Sequence, residues 1–257
     1  MNKLSEITRA IGKEIQATVA RPSRVRHLFS IERLKRYVRF HQVSMKASGG
    51  WQSTSTVNVT GRRYKSYEDY IELQALKLDY IDLRAHEKRF RSILKQRLQD
   101  LEFICRGQSV LCLGARLGAE VRAFIDVGCF AVGIDLNPGE HNPYVLYGDF
   151  HNLPMADSSV DVVYSNSIDH AFELDGMVAE IIRVLRPDGH IILEPDPGTK
   201  DVDGIEPDLW AAQSWTTIDN LIKYLEELGL KLTSRRPFEY PRNGEQLIFR
   251  PLINSVD

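Results

Sequence analysis

From residue 109 onward, short apolar runs alternate with stretches in which apolar residues recur every three or four positions. The short runs predict strands, and the amphipathic stretches predict helices. Strands are predicted at residues 109–113, 131–135, 144–148, 160–165 and 190–194, and helices at residues 119–127 and 174–185. Because the two element types alternate, the pattern predicts an α/β domain with a mostly parallel sheet and helices on both faces.

The end of the chain follows a different pattern. A helical stretch after Pro207 ends at Gly229, and two apolar runs follow at residues 230–234 and 246–250. Two neighbouring runs of this kind can pair as a hairpin. With this hairpin, the predicted sheet has seven strands.

The first hundred residues predict helices. Apolar residues recur at helical spacing over residues 4–15, a second helix is predicted at about 31–40, and a helix capped by Ser66 continues to Leu98 with a break near Asp82. Residues 44–63 predict an exposed connection with a short strand at 56–59. We therefore divide the chain into an N-terminal helical extension, residues 1–100, and an α/β domain, residues 101–257.

Charge separates the same two parts. The chain has a formal net charge of −2, but residues 1–100 carry 21 Lys and Arg against 10 Asp and Glu, and the remainder carries 12 against 25. The basic segment 21–39 interleaves arginines with apolar residues. It could contact an anionic membrane surface, RNA phosphates or an acidic glycan, or it could pack on the acidic domain of its own chain.

Composition narrows the class of protein. The 257 residues are 43% apolar, which is enough for a core. No apolar run approaches the roughly 18 residues of a membrane span, and the first residues do not resemble a secretory signal. We expect a cytoplasmic protein in which Cys105, Cys112 and Cys129 are small buried residues without disulfides or metal.

A glycine turn follows the first strand of the α/β domain. Gly114 and Gly118 flank a tight turn that leads into a helix, and Asp135 ends the next strand about 20 residues later. This order is typical of a unit that binds a nucleotide-containing cofactor, with the acid on the ribose hydroxyls.

Five segments in order carry a resemblance to a known family. They are the turn 114–118, the acid Asp135, the run 148–155 (GDFHNLPM), the strand 160–164 and the segment 183–189 (RVLRPDG). Together they resemble class I S-adenosylmethionine-dependent methyltransferases, most closely the broad type 11 group, over about a third of the chain. The resemblance implies a Rossmann-like fold and S-adenosylmethionine as cofactor.

The resemblance also implies roles for single residues. The turn would hold the methionine portion, Asp135 the ribose, and Asp149 the adenine amine, with Phe150 as an apolar wall. The expected cofactor-binding residues are Gly114, Ala115, Arg116, Gly118, Asp135, Leu136, Asp149, Phe150 and Ser165.

Two positions depart from the family. An acidic residue usually stands where this chain has Cys112, and it is a partner for the ammonium group of the cofactor. A glycine usually stands where this chain has Arg116. We expect the Arg116 side chain either to turn outward or to reach the cofactor carboxylate, restrained by Glu120 one helical turn on.

The methyl acceptor is expected beyond the carboxyl end of the fourth strand, at residues 165–170. His170 is the first candidate for a base, followed by Asp169 or His151, and Asn166 could orient a substrate. The alternative is that His170 only packs or caps the next helix.

Other groups have two interpretations each. Tyr67, Tyr70, Gln74 and Lys77 share one helix face, which could cover the cofactor pocket or dock the helix on the sheet. Trp210 and Trp215 could line the acceptor pocket or fill core.

The segment Asn142-Pro143-Tyr144 is expected to be a loop turn. Glu194, Asp196 and Asp201 lack metal-ligand spacing, so no metal site is predicted.

These observations predict methyl transfer from S-adenosylmethionine to a small molecule or saccharide, forming an O-methyl product. RNA methylation through the basic N-terminal part is the second interpretation. A binding protein without catalysis, suggested by Cys112 and Arg116, is the third.

Overall fold

The computed structural model describes residues 41, 49–54, 57–77 and 84–252, and those from 49 onward belong to one compact unit. The helices predicted at residues 4–15 and 31–40, the basic segment 21–39 and the helix break near residue 82 lie outside the described residues. Of the helices that are described, none is long and apolar enough to cross a membrane.

The described residues from 49 onward form ten strands and five α-helices. The strands are β1 (Trp51–Ser53), β2 (Val59–Arg62), β3 (Ser109–Leu113), β4 (Phe130–Asp135), β5 (Val145–Tyr147), β6 (Val160–Ser165), β7 (Leu185–Leu193), β8 (Gln213–Trp215), β9 (Leu230–Phe238) and β10 (Gly244–Pro251). The helices are α1 (Tyr67–Ala75), α2 (Arg84–Gln99), α3 (Ala119–Asp126), α4 (Leu174–Val184) and α5 (Ile218–Glu227), with a 3₁₀ turn at Ile168–His170.

The main sheet has seven strands in the order β5-β4-β3-β6-β7-β10-β9. The pairs from β5 to β7 are parallel, and β10 runs antiparallel to both β7 and β9. The predicted Rossmann-like, mostly parallel sheet and its C-terminal hairpin are thus confirmed. The order reverses between β3 and β6, so a crevice opens at their carboxyl ends, where open α/β sheets bind ligands.

Successive residues of β3 supply two separate cores because side chains alternate across a strand. Leu111 and Leu113 pack with α4 and α5, whereas Val110 and Cys112 pack on the opposite face with α2 and α3. Trp215 is in the first core, which confirms the core-filling interpretation for that residue. Cys112 and Cys129 are buried, but Cys105 is exposed, so the prediction that all three are buried is wrong for Cys105.

Two elements before residue 100 help to frame the site. Ser66 caps α1, since its hydroxyl accepts a hydrogen bond from the Asp69 amide at 3.2 Å. Helix α2 is anchored by Arg97, whose guanidinium donates to the buried Glu194 carboxylate at 2.8 Å. Strands β1, β2 and β8 form a separate antiparallel sheet, in which β2 begins at the last residue of the short strand predicted at 56–59.

Candidate active site

The turn between β3 and α3 requires glycine at both of its ends. Gly114 has φ +70°, and a Cβ added there would lie 2.7 Å from Ser167 Cβ. Gly118 has φ +82° and is the N-cap residue of α3. Between them Arg116 also has a positive φ, +40°, a left-handed conformation that costs a side-chain-bearing residue about 1 kcal/mol.

Asp135 holds the middle of this turn. Its Oδ2 accepts the Arg116 amide at 2.9 Å, and its Oδ1 accepts the Asn137 amide at 2.7 Å. Because each carboxylate oxygen has two lone pairs, both can accept one further hydrogen bond. The carboxylate is thereby aligned at the end of β4 and could hold two hydroxyl groups.

Asn142 also supports the turn, a role that the sequence analysis missed. Its Nδ2 donates to the carbonyls of Arg116 and Pro138 at 2.9 and 2.8 Å, and its Oδ1 accepts the Tyr144 amide at 2.9 Å. The last contact is an Asx turn, as expected for an asparagine in a loop. The prediction of a loop turn here is confirmed.

Asp149 is already engaged by neighbouring side chains. Its Oδ2 accepts the hydroxyl of Tyr67, from α1, and its Oδ1 accepts the His151 amide at 2.9 Å and faces His151 Nδ1 at 2.7 Å. Burial opposes ionisation of Asp149, but these hydrogen bonds outweigh it and lower its pKa. Asp149, which was predicted to bind the adenine amine, is therefore ionised, and it already accepts a hydrogen bond from Tyr67 of α1.

His170 lies in a fixed hydrogen-bond arrangement. Its Nδ1 is 3.0 Å from the Trp210 carbonyl, which can only accept, so Nδ1 carries the proton and Nε2 the lone pair. Nε2 lies 2.5 Å from Lys77 Nζ and 3.4 Å from Arg116 Nη2. Burial, followed by the charges of Lys77 and Arg116, lowers the pKa of His170 well below its ordinary value, so the imidazole is neutral at pH 7.

Lys77 and Asp169 have pKa values displaced toward each other. Burial, with the Arg116 charge second, lowers the pKa of Lys77. Burial, with the Asp196 charge second, raises the pKa of Asp169. Groups perturbed in this way beside a cavity are candidates for proton transfer.

Two cavities of different size meet at Arg116, Lys77 and His170. The larger, about 400 Å³, extends from Gly114 and Asn166 past Asp169 to Arg242. The smaller, about 40 Å³, lies between Asp135 and Phe150. Arg116, Lys77 and His170 line both cavities, so their side chains stand between them. The large cavity is within the range of small-molecule sites, and the small one is far below it.

Glu120 contacts a partner other than the predicted one. Its Oε1 accepts the Asn166 side-chain amide at 3.2 Å, while the Arg116 guanidinium is directed at His170. Arg116 neither turns outward nor is restrained by Glu120 in this structure. The sequence analysis did not predict three contacts of the site. They are those of Glu120 with Asn166, of Lys77 with His170, and of Asn142 with the Arg116 carbonyl.

The predicted site residues are brought together in part. The small cavity is lined by Gly114, Arg116, Asp135, Leu136, Phe150 and His170, and the large one by Gly114, Arg116, Asn166, Asp169 and His170. Ala115, Gly118, Asp149 and Ser165 line neither. Ser165 is fully buried and donates to the Leu113 carbonyl at 3.1 Å, so it joins two strands.

Glu194 and Asp201, two acidic residues that follow β7, accept hydrogen bonds from different parts of the chain. Glu194 accepts from Arg97, Tyr164 and Gln246, and Asp201 accepts the amides of Gly198 and Ile218. In the part of the chain that the structure describes, no three His, Cys, Asp or Glu side chains are grouped as metal ligands.

Comparison with known proteins agrees with this architecture. Residues 111–193 match the model of a methyltransferase domain family. A malonyl-[acyl-carrier protein] O-methyltransferase from Methylococcus capsulatus is 34% identical over 84 residues, which are 29% of this chain and 30% of that protein. The chain thus spans less than a third of this curated relative.

Solved structures share the fold at low sequence identity. A 1,6-didemethyltoxoflavin-N1-methyltransferase from Burkholderia thailandensis, solved with S-adenosylhomocysteine, superposes with a TM-score of 0.54 at 15% identity, covering 79% of this chain and 99% of that one. A Pyrococcus horikoshii protein superposes with a TM-score of 0.52 at 21% identity, covering 68% and 95%. Residues 111–193 therefore form a class I S-adenosylmethionine-dependent methyltransferase domain of a type 11-like group.

Proposed function

We propose that this protein transfers a methyl group from S-adenosylmethionine to a small-molecule or saccharide hydroxyl held in the larger cavity. The observation that carries the proposal is the cavity of about 400 Å³ that joins Gly114, on the cofactor turn, to the neutral His170. The matched O-methyltransferase supports an oxygen acceptor.

The residues of the turn fit the amino-acid end of the cofactor. S-adenosylmethionine supplies an electrophilic methyl group on a sulfonium centre. Gly114 lines both cavities and has no side chain, so a ligand can approach its backbone closely. The Arg116 guanidinium is within reach of a carboxylate in the cavity and forms no ion pair in the described part of the chain. We assign Arg116 to that carboxylate.

The adenosine end fits only after α1 withdraws. Asp135, Leu136 and Phe150 provide the acceptors and apolar wall expected for a nucleoside. However, Tyr70, Gln74 and Lys77 reduce that space to about 40 Å³. We assign α1 the role of a cover that must move before a nucleoside can bind beside Asp135.

His170 and Lys77 supply the proton acceptor. Both have lowered pKa values, so near neutral pH the pair can take up one proton from an acceptor hydroxyl. The Trp210 carbonyl keeps the proton of His170 on Nδ1 and the Nε2 lone pair on the side of the cavities. Asp169, next to His170, offers a second proton-binding group.

The first test is binding, because every role above requires it. Titration calorimetry of the full chain with S-adenosylhomocysteine is expected to show one site per chain. The second test incubates the chain with S-adenosylmethionine labelled on its methyl group and a metabolite extract below about 1 kDa. Label in a chloroform-insoluble, alkali-stable small molecule supports the proposal. Absence of binding overturns it.

RNA methylation remains the second candidate because residues 1–100 carry 21 basic against 10 acidic residues. A parallel incubation with total RNA distinguishes it, since label in RNA and not in the extract would replace the small-molecule proposal. Binding of the cofactor product with no label in either fraction would favour the binding protein without catalysis.

A further inference from the structure

One oxygen of a buried carboxyl group in the site has no hydrogen-bond donor among the residues that the structure describes. Glu120, in the first turn of α3, is 7% exposed, and its Oε1 accepts from Asn166. Its Oε2 is buried and has no partner in the described part of the chain. Leaving a buried acceptor without a donor costs stability, so such an atom in a binding cavity indicates a donor that arrives with a ligand.

The surroundings of Glu120 indicate where that donor would be. Glu120 lines the larger cavity together with Gly114 and Asn166, at the end where the turn meets β6. Cys112, on β3, is fully buried against α3, and burial followed by the Glu120 charge raises the pKa of its thiol. The neutral Cys112 and the carboxyl of Glu120 are therefore neighbours on one side of the sheet.

We propose that Glu120 Oε2 binds the ammonium group at the amino-acid end of S-adenosylmethionine. The carboxyl group that β3 lacks at Cys112 is then supplied by the following helix, α3. Together with Arg116, which is assigned to the carboxylate, Glu120 completes a site for a zwitterionic amino acid. The inference rests on the proposed function, because it requires this cofactor in the crevice.

The charges around Glu120 give the binding step a measurable proton. Burial, followed by the Glu87 charge on α2, raises the pKa of Glu120 to about 8, while Arg116 and the Asn166 amide act in the opposite direction. Cys112 and Tyr164, the titratable groups facing it from β3 and β6, both have raised pKa values and are neutral. The carboxyl is thus mostly protonated at pH 7, and an ammonium ligand favours its ionised form, which releases a proton.

The experiment compares two ligands that differ in the amino-acid end. S-adenosylhomocysteine has it, and 5′-methylthioadenosine lacks it. By calorimetry, Glu120→Gln is expected to weaken S-adenosylhomocysteine binding about tenfold or more and to leave 5′-methylthioadenosine binding within twofold. Glu180→Gln, on α4 and hydrogen-bonded to Arg183 and the Leu153 amide, is the matched control and should change neither affinity.

Proton release supplies a measurement on the unmodified chain. Titrations at pH 7 in buffers of different ionisation enthalpy should show release of up to one proton with S-adenosylhomocysteine and none with 5′-methylthioadenosine. If Glu120→Gln does not fold, Glu120→Met is compared in its place, because Lys77 and Asp169 line the same cavity and also exchange protons near pH 7.

Equal loss of affinity for both ligands, or an unchanged affinity for S-adenosylhomocysteine, overturns the role of Glu120 while the proposed function stands. Failure of the unmodified chain to bind S-adenosylhomocysteine overturns both proposals.

Discussion

Lys77 Nζ lies 2.5 Å from His170 Nε2, although the two residues are 93 positions apart in the chain. The contact joins a residue two positions after α1 to the 3₁₀ turn after β6. It places a cation on the only ring nitrogen of His170 that has a lone pair, and it helps to lower the pKa of the imidazole.

Replacing Lys77 should therefore change the titration of His170. In Lys77→Met, the pKa of His170 is expected to rise because a neighbouring cation is lost, although burial still keeps it below the ordinary value. Nitrogen-15 NMR of histidine-labelled protein measures this directly. Lys65→Met, at an exposed position, should leave the His170 resonance unchanged. An unshifted His170 titration in Lys77→Met would contradict the contact.

His170 itself is expected to affect the rate and not the cofactor. His170→Gln should lower the rate of methyl transfer about 10²- to 10⁴-fold, the usual contribution of a general base, with S-adenosylhomocysteine affinity within a few fold. The rate of the unmodified protein should fall as pH decreases through the lowered pKa values of the pair. A full rate in His170→Gln would assign the proton to another group.

Tyr67 is expected to slow entry of the cofactor. Its hydroxyl donates to Asp149, so α1 must release this carboxylate before an adenine amine can use it. Tyr67→Phe should raise the association rate of S-adenosylhomocysteine severalfold in stopped-flow measurements, and Asp149→Asn should weaken binding. Tyr147→Phe, whose side chain is exposed, is the control. A slower association in Tyr67→Phe would show that the tyrosine forms part of the binding site.

Gly114 and Gly107 provide a matched pair for the turn. Both have positive φ, +70° and +90°, but only at Gly114 would a Cβ meet a neighbour within 3 Å. Gly107→Ala should lower the free energy of unfolding by about 1 kcal/mol, the cost of a left-handed alanine. Gly114→Ala should add about 1–3 kcal/mol of steric strain to that. Urea denaturation compares the two, and equal losses would mean that Ser167 moves aside freely.

Glu120 is expected to make stability depend on pH. Its pKa is raised to about 8 in the folded chain, against about 4.5 when unfolded, so the folded state binds more protons between these values. Stability from this group is present below pH 4.5 and decreases as pH rises toward 8. Glu120→Gln lacks this decrease. The melting temperature of Glu120→Gln minus that of the parent should therefore be larger at pH 8.5 than at pH 5.5. A pH-independent difference would mean that the carboxyl is ionised throughout.

The order and type of elements after residue 109 could be predicted because local patterns carry them. Strand β3 was predicted over its observed residues, because the apolar run 110–113 stands directly before Gly114. In the structure these four positions are buried and alternate between the two cores. The turn at Gly114 was predictable because two glycines, Gly114 and Gly118, follow the apolar run of β3. Strand β7 begins at Leu185 and not at the predicted residue 190, because its pairing with Val160 of β6 is a long-range contact.

What the sequence determined by itself is the scaffold: alternating elements, a seven-stranded sheet, the glycine turn and an acid at the end of β4. Periodicity and backbone conformation are local properties, so they are visible in neighbouring residues. Only the tertiary structure decided that Tyr67 engages Asp149, that Lys77 meets His170, and that one oxygen of Glu120 has no donor among the described residues. These contacts join distant segments, and burial, which sets the charge of each group, exists only once the chain has folded.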